Sequence, residues 1–249
     1  MEHASGGGED PLARLAALEG VSSAMAAARD GIDVLLRDRG LRSTGPDLTA
    51  ESLLRGAHAS AVLEGADATL EQIRTGGGGS MVHAALRLST ELLGLAPTWR
   101  TAPLQALARM HTVAGKSVVD DEDLGRPRDA EAARRLRDLA GLVAGGTSAP
   151  ALVVAAVVHA EVAAASPFVS HNGLVARAAE RLTLVARGVD PASLVVPEAG
   201  HLRLRREYES NLRGYRDGGA AGVHAWLLYA AEAYAAGAEA SPLTLRPDP

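Results

Sequence analysis

The stretch Ser166-Pro167-Phe168-Val169-Ser170-His171-Asn172-Gly173-Leu174-Val175-Ala176-Arg177 follows directly on the longest apolar run of the chain, Ala149 to Ala165. That run is mostly alanine and is broken by His159 and Glu161, which suits a buried helix better than a membrane span. Pro167 forces a break. Asn172-Gly173 reads as a turn, and from Leu174 an amphipathic helix resumes to Arg187, before Gly188. Such a loop leaves backbone N–H groups free at a helix N-terminus, a natural anion site. On local physics alone it reads first as an ordinary inter-helix turn in which Asn-Gly supplies a positive φ.

Working outward, helical spacing recurs throughout. Leu12, Leu15, Leu18, Met25, Ile32 and Leu35 predict helix over 11–39, with Gly20 and Gly31 as breaks. Ser43 to Asp47 reads as a turn, and Thr49 as the N-cap of a helix running to Leu63 and stopping at Gly65. A short helix over 68–74 and the flexible connection Gly76 to Ser80 follow, then helices over 81–93, 103–113 and 131–143. Ser148 and Pro150 open the apolar helix, and two further helices are expected at about 201–213 and 220–237. Residues 114–129 are polar and read as an exposed loop with room for a short β-hairpin. The result is an all-α expectation: a disordered tail over 1–10, one helical domain over 11–240 and a tail over 241–249.

Composition agrees. Of 249 residues, 47% are hydrophobic, enough for a sizeable core, while only 3% are aromatic. Ala, Leu and Arg dominate, favouring packed helices over sheet. A formal net charge of −5 argues against nucleic acid as a partner. The absence of cysteine removes disulfides, thiol catalysis and thiolate metal sites. The first ten residues lack both a basic and an apolar signal region, so a cytoplasmic protein without a membrane span is expected.

The segment 166–177 resembles the signature of the Fic (Fido) family, His-Pro-Phe-x-Asp/Glu-Gly-Asn-Gly-Arg-x-x-Arg, matching it at Pro167, Phe168, Asn172, Gly173 and Arg177. His159, seven residues before Ser166, falls where many family members carry a histidine. Upstream, Ser60-Ala61-Val62-Leu63-Glu64-Gly65 is similar to the family's inhibitory signature, Ser/Thr-x-x-x-Glu-Gly/Asn, and Ala68 to Glu71 continues it. Gly125-Arg126-Pro127-Arg128 resembles the approach to the family's substrate-positioning flap, and Tyr208 and Trp226 fall where its C-terminal helices carry aromatics. The likeness runs over most of residues 20–235 in the family's order. It implies a Fic-fold helical domain with an inhibitory-type helix at about 50–64 and a motif loop at 166–177.

The departures fall on the chemistry that the resemblance implies. The position of the family's general base is Ser166, and a hydroxyl has no useful basicity near neutral pH. The acidic residue that holds Mg²⁺ is replaced by Ser170. The first glycine of the phosphate-binding nest is His171, and the first arginine is Leu174. Asn172, Gly173 and Arg177 remain as nucleotide- or anion-binding candidates, with Ser60, Glu64 and Gly65 as the inhibitory set. In the family the inhibitory glutamate pairs with the second arginine, so the resemblance implies contact between Glu64 and Arg177; without it, both read as ordinary charged residues. The expectation is a degenerate Fic-fold protein without adenylyltransferase activity, acting through an unidentified protein partner or small ligand. One alternative is an active nucleotidyltransferase using His171 as a relocated base, with ATP and Mg²⁺ as cofactors. Another is a regulatory subunit of an intact Fic protein. Homodimerisation is compatible with each.

Other signals are weaker. Ala114-Gly115-Lys116-Ser117 ends like a P-loop, but Met110 stands where the first glycine is required. The eight histidines show no metal-ligand spacing, His159 reads as a satisfied core residue, and no metal is expected. Asp120 to Asp123 lacks the alternation of a calcium loop. No glycine elbow surrounds Ser166 to make it a nucleophile.

Overall fold

The structure is a computed structural model that describes residues 10–37 and 45–245. The expected tail before Asp10, residues 43–44 of the expected turn and residues 246–249 lie outside the described residues. Among the described residues the protein is helical without strands. Helix α1 (Pro11–Ala16) leads into α2 (Val21–Arg37), α3 (Pro46–Leu63), α4 (Leu70–Arg74) and α5 (Ser80–Leu92). Then come α6 (Ala96–Thr101), α7 (Pro103–Gly115), α8 (Ala130–Ala144), α9 (Ala151–Ala165) and α10 (Asn172–Ala186). The chain closes with α11 (Pro197–Arg203), α12 (Arg205–Asp217) and α13 (Gly219–Glu239).

Helix α9 is apolar on all sides and buried over nearly its whole length, from Leu152 to Val162. Full burial of each valine or leucine there is worth about 1.5–3 kcal/mol, which makes α9 the centre of the core. Against it lie α10, α12, α8 and α13, while α3 packs on α5 and α11, and α13 on α2. Helix α10 is also buried along most of its length, and its buried positions include Arg177, Glu180 and Arg181. No described helix is long and apolar enough to cross a membrane.

Several local expectations are corrected. Helix α3 opens at Pro46 behind Gly45, not at Thr49; Pro at the first helical position gives up no hydrogen bond, since that N–H is unpaired anyway. The Thr49 hydroxyl instead donates to the Ala192 carbonyl at 2.9 Å. Gly31 does not break α2, whereas Gly20 does turn the chain, with φ +74°. The polar segment after α7 is a series of turns with no β-hairpin. It is held by Gly125 N–H donating to His111 Nδ1 at 2.9 Å and by Arg128 N–H donating to the Pro167 carbonyl at 2.8 Å.

Candidate functional site

The motif loop begins where α9 stops. Ser166 caps the helix in the left-handed region, φ 41°, its N–H on the Val162 carbonyl, and its hydroxyl donates to the Ala163 carbonyl at 3.0 Å. Asn172 closes the loop in both directions. Its Oδ1 accepts from Phe168 N–H at 2.9 Å and its Nδ2 donates to the Phe168 carbonyl at 2.8 Å. Phe168 in turn stacks on His111, ring centroids 4.3 Å apart and ring planes nearly parallel. The loop is therefore fixed on the core by side chains that the motif supplies.

His171 is the N-cap of α10 at φ 56° and offers no side-chain cap; its ring shares a 2.6 Å hydrogen bond with the Ser170 hydroxyl. Burial lowers the His171 pKa, Arg87 adds to the effect and Glu64 opposes it. The net effect favours the neutral imidazole. Beside Arg87, a cleft of about 470 Å³ between α5, α7 and the turn segment is lined by Thr90, Glu91, Arg109, Thr112 and Lys116.

Glu64 is the C-cap of α3, and Gly65 turns the chain away with φ +91°. Across 113 residues of sequence, Arg177 Nη2 donates to Glu64 Oε1 at 2.7 Å, the contact that the two motifs together imply. Arg177 is held further by Ser60 Oγ at 2.8 Å, the Ser60 carbonyl at 3.1 Å and the Tyr208 hydroxyl at 2.9 Å. The Glu64 carboxylate lies over the first turn of α10: a Cβ on Gly173 would fall 2.0 Å from Glu64 Oε1. Glycine at 173 is what permits that approach.

Sequence reasoning missed a second arginine one turn on. Arg181 makes a two-pronged contact with Glu198, at 3.0 Å from Nε to Oε1 and 2.8 Å from Nη2 to Oε2, and its Nη1 donates to Ser52 Oγ and Ser193 Oγ. Ser60 and Ser52 both lie on α3, so this helix is clamped to α10 at two places. Gly56 lies between them, and a Cβ there would meet Arg181 Nη2 at 2.8 Å.

Behind Arg177 lies a fully buried polar cluster that the sequence did not reveal. His159 is buried with both ring nitrogens in contact: its Nδ1 is 2.9 Å from Glu180 Oε2 and its Nε2 is 3.0 Å from the Tyr208 hydroxyl. His201 Nε2 is 2.9 Å from the same Glu180 oxygen, and its Nδ1 is 2.8 Å from the Tyr229 hydroxyl. Tyr234 donates to the other oxygen, Glu180 Oε1, at 2.9 Å. Burial alone would raise the Glu180 pKa, but the facing imidazoles and their hydrogen bonds outweigh it and hold the carboxyl far below its usual range. The run Arg177-Ala178-Ala179-Glu180-Arg181 offered one signal, since charged residues in a helix otherwise largely apolar from Leu174 to Ala186 must find partners once it is buried.

By sequence, neither a protein-family profile nor a curated protein matches the chain. By structure it is similar to a Fic family protein from Desulfovibrio desulfuricans G20, with a TM-score of 0.73 and 18% identity over 89% of this chain and 74% of that one. It is also similar to Fic-1 from C. elegans, with a TM-score of 0.69 and 16% identity over 88% and 71% of the two chains. A Glu-to-Gly variant of Fic-1 gives 0.66 and 15% over 86% and 70%. The fold of this chain is the Fic fold.

Proposed function

We propose that this protein is a Fic-fold protein that has lost adenylyltransferase chemistry and works by binding a small ligand or a protein partner. The observation that carries this reading is the state of Ser166. It occupies the base position of the motif, and its hydroxyl is spent as a donor on the Ala163 carbonyl. Around it, loop 166–171 contains no carboxylate for a magnesium ion, and the first turn of α10 is covered by Glu64. The residues present do not fit ATP with Mg²⁺. A ligand would find space instead in the cleft beside Arg87.

Purified protein with labelled ATP and Mg²⁺ is expected to show no self-modification, and Glu64→Gly should not switch it on. Loss of a general base costs about 10²–10⁴-fold, and loss of an oriented charge donor about 10²–10³-fold. A second reading has one observation in its favour: His171 is hydrogen-bonded to Ser170 and burial lowers its pKa, which favours the neutral ring that a relocated base needs. Labelling of Glu64→Gly that disappears on His171→Ala would establish that reading and overturn the first. Action as a regulatory subunit of an intact Fic protein would appear as co-purification of the two.

A further inference from the structure

The buried cluster behind Arg177 has the layout of a metal centre. One atom from each of His159, Glu180 and His201 converges, all three within 4.8 Å of one another. Both nitrogens lie 2.9 Å from Glu180 Oε2. Donors bound at about 2.0–2.1 Å to a single ion, at 90–110° to one another, are about 2.9–3.4 Å apart, so each nitrogen–oxygen spacing is that of adjacent ligands; an ion would replace the two imidazole–carboxylate hydrogen bonds and draw the two nitrogens together on itself. The far atom of each residue is backed by a tyrosine hydroxyl: Tyr208 on His159, Tyr229 on His201 and Tyr234 on Glu180. Outer partners of this kind orient ligands and set their tautomers.

Charge supplies the independent argument. The buried arginines have their own carboxylates, Arg177 with Glu64 and Arg181 with Glu198. Glu180 is fully buried, and the groups that hydrogen-bond it are two imidazoles and a phenol, none a permanent cation. A buried carboxylate without a cation is costly. A cation in the cluster, whether a proton on an imidazole or a metal ion, would offset that cost.

We propose that His159, Glu180 and His201 form a binding site for a divalent first-row transition ion, with zinc as the probe. Two imidazoles and a carboxylate suit a borderline ion of this type and are poor ligands for Mg²⁺. Because all three residues have no exposed surface, the ion enters as the chain folds and joins α9, α10 and α11. This site is separate from the motif loop and does not depend on the reading of activity given above.

The test is refolding of the full chain from denaturant and chelator, with and without one equivalent of zinc, followed by gel filtration and metal analysis. One zinc per chain should be retained, and the melting temperature should rise by about 5 °C or more. Glu180→Gln and His201→Gln should each lower the retained zinc at least tenfold, while His83→Asn, at an exposed position, should leave it at one. Should a core variant fail to fold, cobalt(II) in the wild-type chain decides: intense visible bands of a low-coordinate, imidazole-ligated ion support the site. Wild-type protein that refolds fully and retains no zinc or cobalt overturns the proposal and leaves a proton as the offsetting cation. Zinc retained equally by folded Glu180→Gln and His201→Gln overturns it too, placing the ion elsewhere.

Discussion

Arg177 and Arg181 stand one turn apart on α10 and both reach α3, yet they are held in different ways. The Arg181 pair is sealed: Glu198 retains 7% of its side-chain exposure, and Ser52 and Ser193 complete the shell with none. The Arg177 pair is open on one side, because the Glu64 side chain keeps 26% exposure while Arg177 keeps 1%. Arg177 also has neutral partners in Ser60 and Tyr208 that do not depend on Glu64. The first pair is a fixed joint between α3, α10 and α11. The second is a joint with one removable member, and that member is the one lying over the start of α10.

The contrast sets an order of effects. Glu198→Ala strands a buried guanidinium and should lower unfolding stability by about 3–5 kcal/mol, read by denaturant melts. Glu64→Ala should cost less, about 1–2 kcal/mol, because Arg177 keeps three hydrogen bonds and water can reach the vacated place. Equal losses at the two sites would break the comparison. The measurements belong at pH 7 or above. Burial, with a further contribution from His171, lowers the His111 pKa to about 4. The unfolded chain takes up a proton near pH 6.5 that the folded chain refuses until about pH 4. The His111 contribution to stability is therefore fully present above pH 6.5 and is lost as pH falls from there towards about 4. His111→Asn should flatten that decline.

How much of this was legible follows from what each residue must satisfy. Helices α9 and α10 stood out because a continuous apolar run ended by Pro167 has few other solutions. Thr49 misled because its hydroxyl serves a distant carbonyl, Ala192, and a local pattern cannot tell such a bond from a cap. Gly31 misled because it faces open space on α2, where an added Cβ would meet nothing within 4 Å, and tertiary packing of the rest of the helix overrides its poor propensity. Helices α6 and α11 are too short to show a period. In the site, the Glu64–Arg177 contact was reachable only by matching two motifs. Glu180, Arg181, Glu198 and His201 stayed hidden because a charge in a sequence reads as surface until its partner is known, and these partners come from separate helices.

The smallest effect is the sharpest test of the open joint. A methyl at 173 would lie 2.0 Å from Glu64 Oε1 and 3.2 Å from Arg177 Nη1. In the wild-type chain, Gly173→Ala must push the carboxylate off Arg177, so its cost should approach that of Glu64→Ala itself. In a Glu64→Ala background the obstructing oxygen is gone and the Arg177 contact needs only a slight shift. Alanine then brings its helical advantage over glycine, about 0.5–1 kcal/mol in a helix interior and less in a first turn. The substitution should therefore change sign, from destabilising to neutral or slightly stabilising. A double-mutant cycle on thermal or denaturant unfolding measures this as a coupling of about 1–2 kcal/mol between positions 64 and 173. Simple additivity would mean that the Glu64 carboxylate does not rest over the start of α10 in solution, and the open joint would then be a side chain already displaced.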